Sequence, residues 1–477
     1  MFREKLKDSG AALTFNDVIL LPGYTEVEPR EVDISTWVTP KHKLNIPFVS
    51  APMDTVTEAE MAIALAREGG LGVLHRNCTI EEEVEMAKKV KRAEAWIIRD
   101  VITTNPDATV KDAIQLMEKH NIHGLPVLEG ERLVGIITWR DVRFAAPELK
   151  VENVMTKDVI TAPEGITIEE AKEILHKHRI EKLPIVDENR RLLGLITVKD
   201  IEGRGKYPNA IRDEEGRLLC AAAISPFDLP RAKALDKWVD ILVTDVAHFH
   251  NRNCIEATKR LLKEIGSELI VGNIGTYEAA EDCITKLEEI SGFRVGIGSG
   301  SICTTSIVTK VGAPTLFAVA QVADACLDYG VNIPIIADGG VKNPGDVALA
   351  LAAGASCVMM GNIFAGCKES PGRLIALEGK YYKEYYGMGS LRARRKRMAL
   401  DRYSMPAKDI PEGVEGWVPY RGSVSDVVKE FSAGLKASMG YVGAKNIKEL
   451  WKKAKFAFVT QVGTTELKPH SIYLPKE

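Results

Sequence analysis

Residues 296–306 read GIGSGSICTTS, a cysteine flanked by hydroxyls behind three alternate glycines, Gly296, Gly298 and Gly300. A thiol in this setting has two readings. It fills a turn as a small apolar side chain, the usual fate of a free cysteine. Alternatively, it is held for nucleophilic attack, because a sulfur nucleophile needs access that bulky neighbours would deny. The choice depends on which elements position Cys303.

Eight short apolar runs recur along the chain, separated by helix-length amphipathic segments: IPFVSAP (46–52), LGVLH (71–75), LLCAAAI (218–224), ILVTDV (241–246), LIVGNI (269–274), FRVGIG (293–298), IPIIADG (333–339) and CVMMGN (357–362). Strands buried on both faces read as continuous apolar runs, so the pattern predicts a parallel (β/α)8 TIM barrel. Chemistry in such a barrel sits at the C-terminal ends of the strands. Polar or special residues stand there: Met53 and Asp54, His75, Asp245, Asn273, Gly298–Cys303, Asp338 and Gly361–Asn362. So many at one rim favours the functional reading of Cys303.

The same rim predicts a ligand. Gly298 and Gly300 permit positive φ, so the loop can curl with backbone groups facing inward, and Ser301 offers a hydroxyl and an amide to a phosphate. Loops after the seventh and eighth strands commonly grip phosphate, and here they are Gly339–Gly340 and Gly361–Asn362. Asp338 precedes the first pair, where a carboxylate suits two ribose hydroxyls. A sugar phosphate or nucleotide is the expected ligand.

Composition excludes other classes. At 27% charged and 45% hydrophobic residues with net charge −3, the chain reads as globular, with no basic balance for nucleic acid or acidic membrane. No apolar stretch reaches the length of a membrane span, and MFREKLKDSG is no signal peptide. Eight cysteines without metal-ligand spacing argue against zinc and against a disulfide framework, and a reducing cytoplasm is expected.

Two segments copy each other. HGLPVLEGERLVGIITWRDV (123–142) is echoed by KLPIVDENRRLLGLITVKDI (182–201), each after a threonine-led helix start. Both resemble cystathionine β-synthase (CBS) modules, a tandem Bateman pair over 95–205 divided at about 148/149 and inserted after the second βα unit. The barrel is then 1–94 and 206–477. The resemblance implies adenine- or guanine-nucleotide contacts at Thr138, Asp141, Thr197 and Asp200; a pair without ligand is the alternative.

Over its full length the chain resembles the IMP dehydrogenase and GMP reductase family. The stretches that carry it are LTFNDVILLP (13–22), SAPMDTVTE (50–58), EGGLGVLHRN (68–77), GSICTT (300–305), IADGG (336–340), YGMGSL (386–391), DRY (401–403), PEGVEGWVPY (411–420) and MGYVGAKNI (439–447). The resemblance implies that Cys303 attacks C2 of the purine, with NAD as hydride acceptor. Thr305 and Glu412 would belong to a proton relay, and Arg402 with Tyr403 would activate water. Substrate contacts would come from Met53, Ser301, Asp338, Gly339, Gly340, Gly361, Asn362, Tyr385, Met388, Gly389 and Glu412. Asp245, Asn273, Gly296 and Gly298 would lie along the nicotinamide side. Carbonyls of Gly298, Gly300 and Cys303 would hold a monovalent cation, normally potassium. Residues 392–412 would form a mobile flap, and the assembly would be a homotetramer or octamer.

Several positions depart from the family pattern. Ser306 stands where an arginine is usual, Pro314–Thr315 where Pro-Gln is usual, and Gly-Ser-Gly where Gly-Pro-Gly is usual, which loosens the loop. DVAHFHN (245–251) carries Phe249 at a glycine position, which predicts bulk beside the nicotinamide pocket. ELKPHS (466–471) replaces an acidic, histidine-rich ending, and LRARRKRM (391–398) adds five cations within the flap. Three functions follow: IMP dehydrogenase, favoured by Arg402–Tyr403; GMP reductase, which uses NADPH and needs no hydrolytic water; and a nucleotide-binding paralogue with little turnover.

Overall fold

The computed structural model describes residues 10–93, 97–99, 101–198, 201, 206–390, 393, 413–460 and 462–469. The chain divides into two compact units, one of Met1–Ala93, Asn209–Asp213 and Leu218–Glu477, the other of Glu94–Pro208 and Glu214–Arg217.

In the first unit all eight apolar runs form strands: β1 (Phe48–Ser50), β2 (Leu71–Leu74), β3 (Ala221–Ile224), β4 (Ile241–Thr244), β5 (Glu268–Ile274), β6 (Gly292–Val295), β7 (Ile335–Asp338) and β8 (Cys357–Met360). Every neighbouring pair is parallel, and β8 closes on β1 with Val358 opposite Phe48 and Met360 opposite Ser50. Their side chains are buried throughout, apart from Asp338 at the rim. This is why they read as uninterrupted apolar runs.

Helices cover the barrel: α1 (Ala59–Arg67), α2 (Ile80–Arg92), α3 (Leu229–Leu235), α4 (Arg252–Leu262), α5 (Tyr277–Lys286), α6 (Thr315–Asp328), α7 (Pro344–Ala352) and α8 (Val424–Val442). Side-chain caps start several of them directly after the rim loops. Asn251 accepts the amides of Asn253 and Cys254, Thr276 that of Ala279, and Asn343 that of Asp346. Each cap satisfies amides that lack an intrahelical partner and so fixes where the loop ends. On α8, Phe431 meets Phe48 edge-on at 6.2 Å, and both are fully buried. Phe431→Ala should therefore lower stability by about 3–5 kcal/mol, read as a drop in the thermal midpoint.

A three-stranded antiparallel sheet, Leu374–Leu377, Lys380–Tyr386 and Glu415–Pro419, extends from the end of the barrel sequence. It carries Tyr385 and the turn of Gly387–Gly389. No helix among the described residues is long and apolar enough to cross a membrane.

In the second unit the repeat is structural as well as sequential. Thr109 and Thr167 cap the helices Val110–His120 and Ile168–His178 with reciprocal capping boxes. Both helices end on a left-handed residue, Asn121 and Arg179. Each copy then forms an antiparallel hairpin, Gly124–Glu129 with Arg132–Thr138 and Lys182–Val186 with Leu192–Thr197. The Asp141 carboxylate accepts the amide and hydroxyl of Thr138, each at 2.7 Å. Thr197 ends its strand, and Asp200 lies outside the described residues.

Candidate active site

The C-terminal ends of the barrel strands surround a cavity of about 430 Å³. Met53 reaches it from beyond β1, Asp245 from β4, Asn273 from β5, and Asp338, Gly339 and Gly340 from β7. Gly361 and Asn362 line it beyond β8, and Tyr385, Met388 and Gly389 face it from the antiparallel sheet. The loop after β6 contributes Gly296, Gly298, Gly300, Ser301, Cys303 and Thr305. Arg402, Tyr403 and Glu412, with the flap at 392–412 apart from Ala393, lie outside the described residues. Two rim residues turn elsewhere. Asp54 accepts the Asn77 amide at 2.9 Å and the Tyr386 hydroxyl at 3.2 Å, while His75 accepts the Asn77 backbone amide at 3.1 Å.

The cysteine loop has a closed neck. Ile297 and Ala313 exchange both backbone hydrogen bonds, at 3.1 and 2.9 Å. Within it, Gly296 (φ +133°) and Gly298 (φ +78°) adopt positive φ, but Gly300 does not, contrary to the expectation for that residue. Gly300 instead accepts the Cys303 amide at 3.0 Å and closes the turn that presents the sulfur. The Cys303 thiol donates to the Thr305 hydroxyl at 3.2 Å. Cys303 also pairs with Gly413, and Val414 donates to the Ile302 carbonyl at 3.1 Å. The loop is thus stitched to the segment that follows Glu412 in the sequence, a long-range contact with no local signal.

Beneath the cavity lies a charge network that sequence reasoning missed. Arg294, inside the run FRVGIG, is buried and binds Asp338 through Nε at 2.8 Å and Asp245 through Nη1 at 3.1 Å. Burial alone would lower its pKa, but the two carboxylates outweigh that and hold the guanidinium above its ordinary value. Arg76 donates to the Asp245 carbonyl at 2.9 Å. Asn273 gives its amide to Asp338 at 2.8 Å and to the Gly296 carbonyl at 2.9 Å. Asp338 is therefore held through Oδ2 by two donors, in one orientation.

The cavity also carries groups suited to an anion. Gly339 and Gly340 both take positive φ, +92° and +83°, so the chain bends sharply where β7 ends. Asn362 donates to the Ser301 hydroxyl at 3.3 Å. Burial pushes the Tyr385 phenol up to about 12 against the pull of a hydrogen bond to Ser301, so its hydroxyl stays a neutral donor near pH 7. Lys342 also lines this end. Only the lysine's place after a glycine pair would have marked it.

One expectation about the departures is corrected. Phe249 does not crowd the cavity: its side chain is fully buried in the body, its amide donates to the Asn273 carbonyl at 2.9 Å, and Ala247 faces the cavity instead. Which side of a loop a residue takes depends on backbone path, which the sequence alone does not show. At Gly-Ser-Gly, the Ser299 hydroxyl meets the Thr315 hydroxyl at 2.7 Å.

A family model described as "IMP dehydrogenase / GMP reductase domain" matches residues 12–470. A protein of Korarchaeum cryptofilum named inosine-5′-monophosphate dehydrogenase is 58% identical, over 97% of this chain and 97% of its own. One of the same name from Methanocaldococcus jannaschii is 51% identical over 100% and 98%. Among solved structures, a GMP reductase variant of Trypanosoma brucei in complex with guanosine 5′-monophosphate superposes with a TM-score of 0.88 at 36% identity, covering 98% of this chain and 100% of that one. With the closed barrel, the rim cavity and the cysteine loop, these likenesses establish that the chain belongs to the IMP dehydrogenase/GMP reductase family.

Proposed function

We propose that this chain oxidises inosine 5′-monophosphate (IMP) to xanthosine 5′-monophosphate. One observation carries the reading: the Cys303 thiol, 3.2 Å from the Thr305 hydroxyl, lines the same cavity as Asp338 and the Gly339–Gly340 turn. A nucleotide anchored by its ribose on Asp338 and its phosphate on the glycine turns, Ser301 and Tyr385 would extend its base toward that sulfur. The direction of reaction follows the relatives named as dehydrogenases, at 58% and 51% identity.

The nicotinamide side fits its cofactor. A Cβ added at Gly300 would meet only the Cys303 Cβ, at 3.6 Å, an ordinary contact, and Ala247 lines the same cavity, so the residues on this side are small. Gly296, Gly298 and Ala247 would hold the ring, with Asp245 and Asn273 toward the ribose. Bound NAD supplies the hydride acceptor.

The chain's own groups do the rest. The thiol proton passes through the Thr305 hydroxyl, which hands its own proton on along the relay that the resemblance extends to the Glu412 carboxylate, and sulfur bonds to C2 of the purine, which loses its hydrogen as hydride. Water then adds its oxygen to C2 and gives up one proton to solvent, the carbon–sulfur bond breaks, and the relay returns its proton to the sulfur. The family resemblance assigns water activation to Arg402 and Tyr403, with Glu412 in the relay. Arg402→Ala should leave a first-turnover burst of NADH followed by a slow steady state; stopped-flow absorbance with no burst would remove Arg402 from that role. Tyr385→Phe should raise KM for IMP about tenfold or more with little change in kcat, since it deletes a hydrogen bond to a charged phosphate.

Backbone carbonyls of Gly298, Gly300 and Cys303 are hard oxygen donors suited to an alkali cation, and potassium is the proposed occupant. The second unit is proposed to be a CBS pair that takes a purine nucleotide at Thr138, Asp141, Thr197 and Asp200. A homotetramer, or an octamer of two such tetramers stacked through that pair, is the proposed assembly. The test of function is a paired assay. IMP with NAD should produce NADH, whereas consumption of NADPH with GMP and none of this activity would make the chain a reductase, and silence in both a binding protein.

A further inference from the structure

Two hydroxyls meet at the neck of the cysteine loop. Ser299 lies two residues inside the Ile297–Ala313 bridge and Thr315 two residues outside it. Their oxygens are 2.7 Å apart, and both reach the backbone carbonyl of Asp338, Thr315 at 3.0 Å and Ser299 at 3.2 Å. Asp338 is the last residue of β7, paired with Met359 of β8, so its carbonyl stands where the strand ladder ends. Two hydroxyl protons serve three contacts. Whichever hydroxyl donates to its partner, the other donates to the carbonyl, and the joint stays closed.

The joint has little slack. Thr315 is buried. A Cβ at Gly296 would stand 2.4 Å from the Asp338 carbonyl oxygen and 2.9 Å from the Thr315 hydroxyl, and one at Gly339 would stand 2.9 Å from the Ser299 hydroxyl. Backbone of the loop and of the β7 turn therefore packs directly around the two oxygens. The residue they grip is the one whose side chain Arg294 and Asn273 hold from the other side.

We infer that Ser299 and Thr315 are positioning residues that set the Cys303 loop against the ribose-binding end of β7, and so fix how far the sulfur stands from the purine carbon. Neither touches the reacting atoms, and both act through the Asp338 carbonyl. The inference rests on the proposed roles of Cys303 and Asp338. Serine in place of the family's proline gives up ring stiffness, and the hydroxyl joint restores a fixed geometry by another means.

Thr315→Val keeps the shape and deletes the hydroxyl. It should lower kcat at least tenfold with KM for IMP within threefold, because the Asp338 side chain and the phosphate turns are left in place. Thr315→Ser keeps the hydroxyl and should retain at least half the wild-type kcat. Ser299→Ala, at a half-buried site that folding tolerates, should lower kcat severalfold, and the double variant should be no slower than Thr315→Val alone. Without substrate or cofactor, hydrogen–deuterium exchange of the 297–306 segment should quicken in both single variants.

Wild-type kcat in Thr315→Val would overturn the inference. So would Thr315→Ser as impaired as Thr315→Val, which would assign the effect to packing of the methyl. Should Thr315→Val not fold, unchanged kcat and exchange in Ser299→Ala would overturn it equally. A wild-type protein inactive on IMP would sink the proposed function, while the exchange measurement would still report on the joint.

Discussion

Cys303→Ala should abolish turnover while leaving IMP bound. The sulfur forms the bond that activates C2, and the other hydroxyls of its loop that line the cavity are engaged: Ser301 by Asn362, Ser299 by Thr315, and Thr305 as acceptor of the thiol hydrogen bond. A loss of at least about 10⁴-fold in kcat is expected, of the size seen when a covalent nucleophile is removed. Binding rests on other groups: the held Asp338, the Gly339–Gly340 turn and Tyr385. Calorimetric Kd for IMP should stay within about threefold of wild type, since removing the sulfur of a half-buried cysteine takes away little apolar contact. Residual turnover above a few per cent would move the chemistry to another residue.

Arg294→Met should cost both stability and substrate binding. The guanidinium is the shared partner of Asp245 and Asp338, and its removal leaves Asp338 without its ion-pair partner and Asp245 with its ion pair to Arg76, at 3.5 Å. Breaking a buried pair by deleting one partner typically costs about 3–5 kcal/mol. The thermal midpoint should fall by several degrees, and KM for IMP should rise at least about tenfold because Asp338 loses the contact that fixes its orientation. Arg294→Lys keeps the charge without the fork that reaches both acids, and should recover only part of either loss. A variant of wild-type stability would mean that the acids take up protons or water at no cost, and the positioning role would fall.

The barrel was legible because its physics is local to each strand: burial on both faces requires an apolar run, and the rim requires something else after it. Met53, Asp245, Asn273, Cys303, Asp338 and Gly361 all stood at the ends of such runs, and the cavity gathers them. Arg294 was hidden by the same logic, one cation inside FRVGIG whose partners lie 49 and 44 positions away in the chain. Pairing of Cys303 with Gly413 and of Ser299 with Thr315 likewise depends on chain path. Phe249 shows the converse. Residue type suggested bulk at the site, and the backbone turned it inward.

Quenching the enzyme in acid during turnover on IMP labelled in the purine ring, with NAD present, tests the central claim most directly. Peptide mass spectrometry should find the label on the peptide that contains Cys303, at a fraction that rises when hydrolysis is slowed. Full turnover with label on no cysteine, or on any residue other than Cys303, would contradict a covalent sulfur–purine intermediate at the barrel mouth.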